Sequence, residues 1–157
     1  MNKLYLPNPK LYGLVKSVLN IDSKHRVKIK VHGFSMSPFI KHGSIVSIKP
    51  FSRMYHIHFG DIIGVTYPNK DRVLIHRVIG LNKNQVLLKG DNNLSNDGWF
   101  SIKNIIGIVD VVHGKGINKK NNKLINYLIA YISKTGLLNR ILLPILRSIK
   151  KKKNQHD

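Results

Sequence analysis

The run Arg26-Val27-Lys28-Ile29-Lys30-Val31-His32, followed by Gly33-Phe34-Ser35-Met36-Ser37-Pro38, decides the fold. Val27, Ile29 and Val31 alternate with Lys28, Lys30 and His32, a period of two that places the apolar set on one face of a half-buried strand. Gly33 and the Ser37-Pro38 pair then close the strand in a turn. Working outward, the same reading predicts strands over residues 44–49, 61–67, 72–81, 85–89 and 105–112. Turn signals separate them: His42-Gly43, Phe59-Gly60, Pro68-Asn69 and Gly90-Asp91-Asn92. Many short strands with little helix between them predict a mainly β fold, an antiparallel folded barrel rather than a parallel sheet. Helical spacing over residues 11–19 predicts one short N-terminal helix.

The chain has 157 residues, 42% of them hydrophobic and 22% charged, which fits one globular domain with a small appended segment. We divide it into an N-terminal helical segment (1–25), a β-rich domain (26–113) and a basic tail (114–157). The boundary falls in the polar run from Gly114 to Asn122. Cysteine is absent, which excludes disulfides, thiolate catalysis and cysteine-ligated zinc. No cofactor and no metal site are expected.

The formal net charge is +20, from 27 Lys and Arg against seven acids, all of them Asp. A lysine- and asparagine-rich codon bias accounts for part of this, but it does not readily strip out every Glu. Such a surface is drawn to anionic lipid or nucleic acid. Half of the net charge lies beyond Gly114, where the chain also has its most apolar stretch, residues 124–149, and ends near Lys150-Lys151-Lys152-Lys153. From Leu137 onward, Leu138, Ile141, Leu142, Ile145, Leu146 and Ile149 share one helical face, opposite Arg140, Arg147 and Lys151. The expectation is an amphipathic helical tail on an anionic membrane surface. A helix simply packed on the domain is the plainer alternative. No uncharged run has the 20 or so residues of a bilayer crossing, and Lys3, Pro7, Pro9, Lys10 and Lys16 leave no secretory h-region. The chain is therefore expected to be peripherally membrane-associated, with a cytoplasmic location as the alternative.

Ser35 follows a strand and precedes a turn, so its hydroxyl can project from the sheet while its own N–H faces a developing oxyanion. Gly33 permits close approach of a bound chain. A serine hydroxyl needs a base to remove its proton, and His76, in Leu74-Ile75-His76-Arg77-Val78, is the candidate. Alone, each has a plain reading: most such serines sit in turns, and most strand histidines are packing residues. Two carboxylates follow in Lys89-Gly90-Asp91-Asn92-Asn93 and at Asp97. Either could accept the far imidazole N–H and fix its tautomer, although Asp91 suits an Asx-stabilised turn nearly as well.

The ordered boxes Gly33-Phe34-Ser35-Met36-Ser37-Pro38, Phe59-Gly60-Asp61-Ile62-Ile63, Ile75-His76-Arg77-Val78-Ile79, Lys89-Gly90-Asp91-Asn92-Asn93 and Gly107-Ile108-Val109 resemble signal peptidase I. The likeness is to the branch that uses histidine, typical of the endoplasmic reticulum and archaea, rather than to the lysine-using bacterial enzyme and the SOS repressors. It covers residues 31–112. The resemblance implies Ser35 as nucleophile, His76 as general base, and Asp97 and Asp91 as the family's acids. It also implies cleavage after small residues. Gly33, the Ser35 backbone, Met36 and Ile75 are the expected oxyanion and substrate-binding positions. The chain departs from the pattern in having no anchor helix before the serine box, in Ser44 where an acid is common, and in Ile108 within Gly-Ile-Val.

The expected function is serine endopeptidase action on a peptide or preprotein substrate, which binds extended and adds a strand to the sheet. His56 and His58 read as a surface pair on one strand face rather than a metal site. Two other classes compete. A self-cleaving, nucleic-acid-associated repressor would show salt-dependent DNA affinity, but no helix-turn-helix precedes the serine box. A catalytically inactive membrane-surface module would leave Ser35 unlabelled by serine-directed probes.

Overall fold

The longest strand of the fold has twelve residues, and its stretch 73–79 is buried on both faces. In this computed structural model the described residues are 26–51, 56–67, 70–114, 117–120, 122–137, 140–141 and 144–145. The expected helix at 11–19 and the terminal lysine run lie outside them. Among the described residues eight strands form one antiparallel sheet: β1 (Val27–Lys30), β2 (Ile45–Pro50), β3 (Ile62–Tyr67), β4 (Lys70–Leu81), β5 (Gln85–Lys89), β6 (Gly98–Ser101), β7 (Ile105–Gly114) and β8 (Ile117–Lys120). The neighbour order is β1-β2-β7-β3-β4-β5-β6, with β8 added to β7. Among the described residues a short 3-10 turn (Ile102–Asn104) precedes β7 and one α-helix, α1 (Lys123–Lys134), follows β8. The mainly β, antiparallel fold expected from the alternating pattern is the fold observed.

Successive side chains of a strand point to opposite faces, and here both faces find a core. Ile62, Val73, Ile75 and Val109 join Ile29, Val31, Met36, Ile40, Val46 and Ile48 in one cluster. Ile63, Leu74, Val78 and Ile108 join Val65, Val86, Leu88 and Phe100 in the other. This is why β3, β4 and β7 read as near-continuous apolar runs while β1, which packs on one side only, alternates. Register shifts at Ser47/Ile48, Gly64/Val65 and Val78/Gly80 bend the sheet so that it can fold over two cores. Gly107 has a packing reason: a Cβ there would collide with the Lys49 carbonyl oxygen and the Ile48 side chain where β7 crosses β2.

The run from Gly114 to Asn122, read as a boundary, contains β8, which pairs with β7 from Gly114↔Ile117 to Val111↔Lys120. Asn122 then caps α1, its side-chain oxygen accepting from the Leu124 and Ile125 N–H groups. The helix turns Asn126, Ile129, Ala130 and Ser133 toward the sheet. Gly60 lies against it so closely that a Cβ would sit 2.9 Å from Asn126 backbone atoms. No helix among the described residues is long and apolar enough to cross a membrane.

Candidate active site

β1 leads into the turn that carries Ser35, and the turn is held from both ends. Within it, the Ser37 N–H donates to the Phe34 carbonyl and the Ile40 N–H to the Met36 carbonyl. From across the sheet, the Asn92 N–H donates to the Ser35 carbonyl at 2.7 Å, and Asn92 Nδ2 donates to the Phe34 carbonyl at 3.1 Å. Asn92 belongs to the loop joining β5 to β6. The hairpin is closed at its base by the Asp97 N–H donating to the Leu88 carbonyl, so the loop between folds back over the Ser35 turn.

That folding brings three side chains into one line. His76 Nε2 lies 2.8 Å from Ser35 Oγ, and His76 Nδ1 lies 2.6 Å from Asp97 Oδ2. A carboxylate only accepts, so Nδ1 carries the proton and the Nε2 lone pair faces the serine hydroxyl. His76 is 2% exposed and Ser35 only half-buried, so the imidazole sits behind the hydroxyl with its water largely excluded. Gly90 makes the approach possible: a Cβ on it would lie 2.8 Å from the Ser35 carbonyl oxygen and 2.9 Å from His76 Nε2. The Ser35 N–H has no acceptor among the described residues.

Asp91 takes a different place from Asp97. His76 and its neighbour Arg77 point to opposite faces of β4, and each acid serves one of them. Arg77 Nε donates to Asp91 Oδ1 at 2.7 Å and Arg77 Nη2 to Asp91 Oδ2 at 2.8 Å, with both side chains fully buried. Nη1 completes the fork by donating to the Gly60 carbonyl and to Asn126 Oδ1 of α1. Asp91 therefore does not touch His76; it locks the β4 face behind the site to the loop that covers it. Lys89 is buried nearby and donates to the Ser133 carbonyl at 2.7 Å. Desolvation holds its ammonium pKa below 10.5, partly offset by Asp91 and Asp97.

Of the expected substrate positions, Met36 and Ile75 are core residues, 2% and 4% exposed, so only their backbone can meet a ligand. The ladder from β4 to β5 starts at Arg77↔Lys89, whereas that to β3 extends past Ile75. Residues 73–76 thus keep described ladder partners on the β3 side alone, beside Ser35. Gly33 has φ 104°, and its N–H donates to His42 Nδ1 at 3.1 Å. The His42 ring in turn stacks on Phe34. Arg77, Asn92, Asn126 and His42 are functional-site neighbours to which the sequence alone gives no role. Arg77 had a signal, an arginine inside an apolar strand, which requires a buried acid. His56 and His58 are exposed and lie outside any strand, with His58 Nδ1 3.7 Å from Asp61. Among the described residues no group of three His, Cys, Asp or Glu could hold a metal ion.

A family profile described as Peptidase S24-like matches residues 9–110. The chain belongs to that family. It is also 30% identical over 141 residues to Signal peptidase I V of Bacillus subtilis (strain 168), an alignment covering 74% of this chain and 83% of that one. Membership of a peptidase family agrees with the expected class of activity, and the profile spans the turn, β4 and the β5–β6 loop together.

Proposed function

We propose that this protein is a serine endopeptidase that cleaves a precursor peptide through an acyl-enzyme, with Ser35 as nucleophile, His76 as general base and Asp97 as the group that orients His76. The reading is carried by the unbroken chain Ser35 Oγ, His76 Nε2, His76 Nδ1, Asp97 Oδ2, with contacts of 2.8 and 2.6 Å. As Oγ bonds to the scissile carbonyl carbon, its proton passes to Nε2, and the Asp97 carboxylate stabilises the imidazolium. The Ser35 N–H stabilises the oxyanion. The C–N bond then breaks, the imidazolium gives its proton to the leaving amine, and water, deprotonated by His76, releases the acyl fragment.

An extended substrate would pair along residues 73–76, which among the described residues have ladder partners on the β3 side alone, with Gly33 allowing its backbone close to the turn. Likeness to Signal peptidase I V supports a signal-peptide-bearing precursor as substrate, and the resemblance of the serine and histidine boxes to signal peptidase I implies small residues before the cut. Incubation with a panel of precursor peptides, with cut sites read by mass spectrometry, tests this. Wild-type protein should cut at one register after small residues and Ser35→Ala should cut nowhere. Equal cutting by both proteins overturns the assignment.

A further inference from the structure

Helix α1 is built inside out. An ordinary surface helix buries its apolar stripe and shows water its polar one. Here the buried side is Asn126, Ile129, Ala130 and Ser133, while Leu124, Ile125, Tyr127, Leu128 and Tyr131 are each more than half exposed. Leu124, Tyr127, Leu128 and Tyr131 fall within one turn-to-turn stripe directly opposite the packed side. Beyond the helix, Leu137, Ile141 and Ile145 continue the exposed apolar character at four-residue spacing. The polar inward side has a reason: Asn126 Oδ1 accepts from the buried Arg77, and the Ser133 carbonyl accepts from the buried Lys89. On the outward side Tyr127 meets the Phe59 ring edge-on at 5.3 Å, while Leu124, Leu128 and Tyr131 remain more than half exposed.

We infer that the outward face of α1 docks on an anionic lipid bilayer, with the leucines and tyrosines at the acyl boundary. Charge decides the occupant. A second copy would bring another +20 surface against the first, and the phosphates of a nucleic acid have no use for a leucine stripe. An anionic headgroup layer offers both an apolar floor and counter-charge. Lys123 and Lys134 bracket the stripe and Arg140 follows it, all exposed, with the Lys134 ammonium over the Phe59 ring at 5.8 Å, so the flanks of the stripe carry the counter-charge for headgroups. Two tyrosines on the stripe suit the interface, where an apolar ring and a wet hydroxyl are both satisfied. Because α1 is tied to β4 through Asn126 and Arg77, docking would hold the Ser35 turn at a fixed height over the lipid.

The test uses the full chain and reads binding, not cleavage, so it stands apart from the peptidase reading. Vesicles of phosphatidylcholine, with and without phosphatidylglycerol, are sedimented with wild type and with a Leu124→Gln/Leu128→Gln double variant. The variant keeps the net charge and alters only exposed side chains, and an unchanged circular dichroism melt verifies its fold. Wild type should partition onto the phosphatidylglycerol vesicles, and the variant should partition about tenfold less or weaker still. Since the chain lacks cysteine, Tyr131→Cys carries a single environment-sensitive dye, whose emission should shift to the blue on the same vesicles. Equal partition of variant and wild type, or no shift at position 131, overturns the proposal and assigns any binding to charge alone. A lipid-free dimer that the double variant dissociates overturns it in favour of a second copy.

Discussion

Gly90→Ala is the smallest change that attacks the site without removing any of its functional groups. The new Cβ would lie 2.8 Å from the Ser35 carbonyl oxygen, 2.8 Å from Asn93 Nδ2 and 2.9 Å from His76 Nε2. Asn93 can swing aside, but the Ser35 carbonyl is backbone held by the Asn92 N–H at 2.7 Å. Ordinary contact begins near 3.4 Å, so serine and imidazole must retreat by about half an ångström. A 2.8 Å hydrogen bond stretched by that amount leaves the range in which a proton transfers readily. We predict that kcat/KM on a cleaved peptide falls about 10²-fold or more. Overpacking should also cost about 1–3 kcal/mol, visible as a fall of several degrees in Tm. Gly80→Ala is the control: its Cβ would press on Leu87 at 3.1 Å, away from Ser35 and His76, and should lower Tm while sparing kcat/KM. Full activity of Gly90→Ala in a folded protein would refute the proposed alignment.

Other expectations follow from the same geometry. Asp97→Asn should leave the melt near that of wild type but lower kcat by about 10²- to 10⁴-fold, because an amide can donate to Nδ1 and select the wrong tautomer; unaltered kcat would remove Asp97 from the mechanism. Asp91→Ala should instead act on stability, at about 3–5 kcal/mol, by leaving the fully buried Arg77 without its acid, as read by urea unfolding. Lys89 supplies a pH signature. Its folded-state pKa is lowered, so between that value and 10.5 the unfolded chain binds more protons, and stability rises as pH climbs through this window. In parallel urea titrations, Lys89→Met should lose that alkaline gain; an identical pH slope in both proteins would contradict it.

The strand reading was legible because two physical periods were clean. The alternation of Val27, Ile29 and Val31 named β1, and the apolar run around His76 named β4. Two strands were missed for identifiable reasons. β6 is four residues entered from Gly98 at φ 95°, too short to display a period, and β8 lies in a lysine- and asparagine-rich run that reads as linker because its pairing to β7 is non-local information. The site was legible as a list of residue types, Ser35, His76 and two aspartates. What the sequence could not do was divide the acids, since spacing alone places Asp91 and Asp97 in one loop. The division comes from the pleat of β4, which sends His76 and Arg77 to opposite faces and gives each its own carboxylate. Asn126 and Ser133, acceptors for Arg77 and Lys89, were hidden in a helix whose inward face is its less apolar one.

Attack of Ser35 on a carbonyl while His76 takes its proton is tested most directly by a covalent adduct. Wild type, Ser35→Ala and His76→Ala are mixed with a peptidyl activated ester, quenched in acid, digested and mapped by mass spectrometry. The account predicts an acyl group on Ser35 in the wild type, none in Ser35→Ala, and at most a trace in His76→Ala. An acyl group on another residue, or turnover that survives in Ser35→Ala, would contradict it.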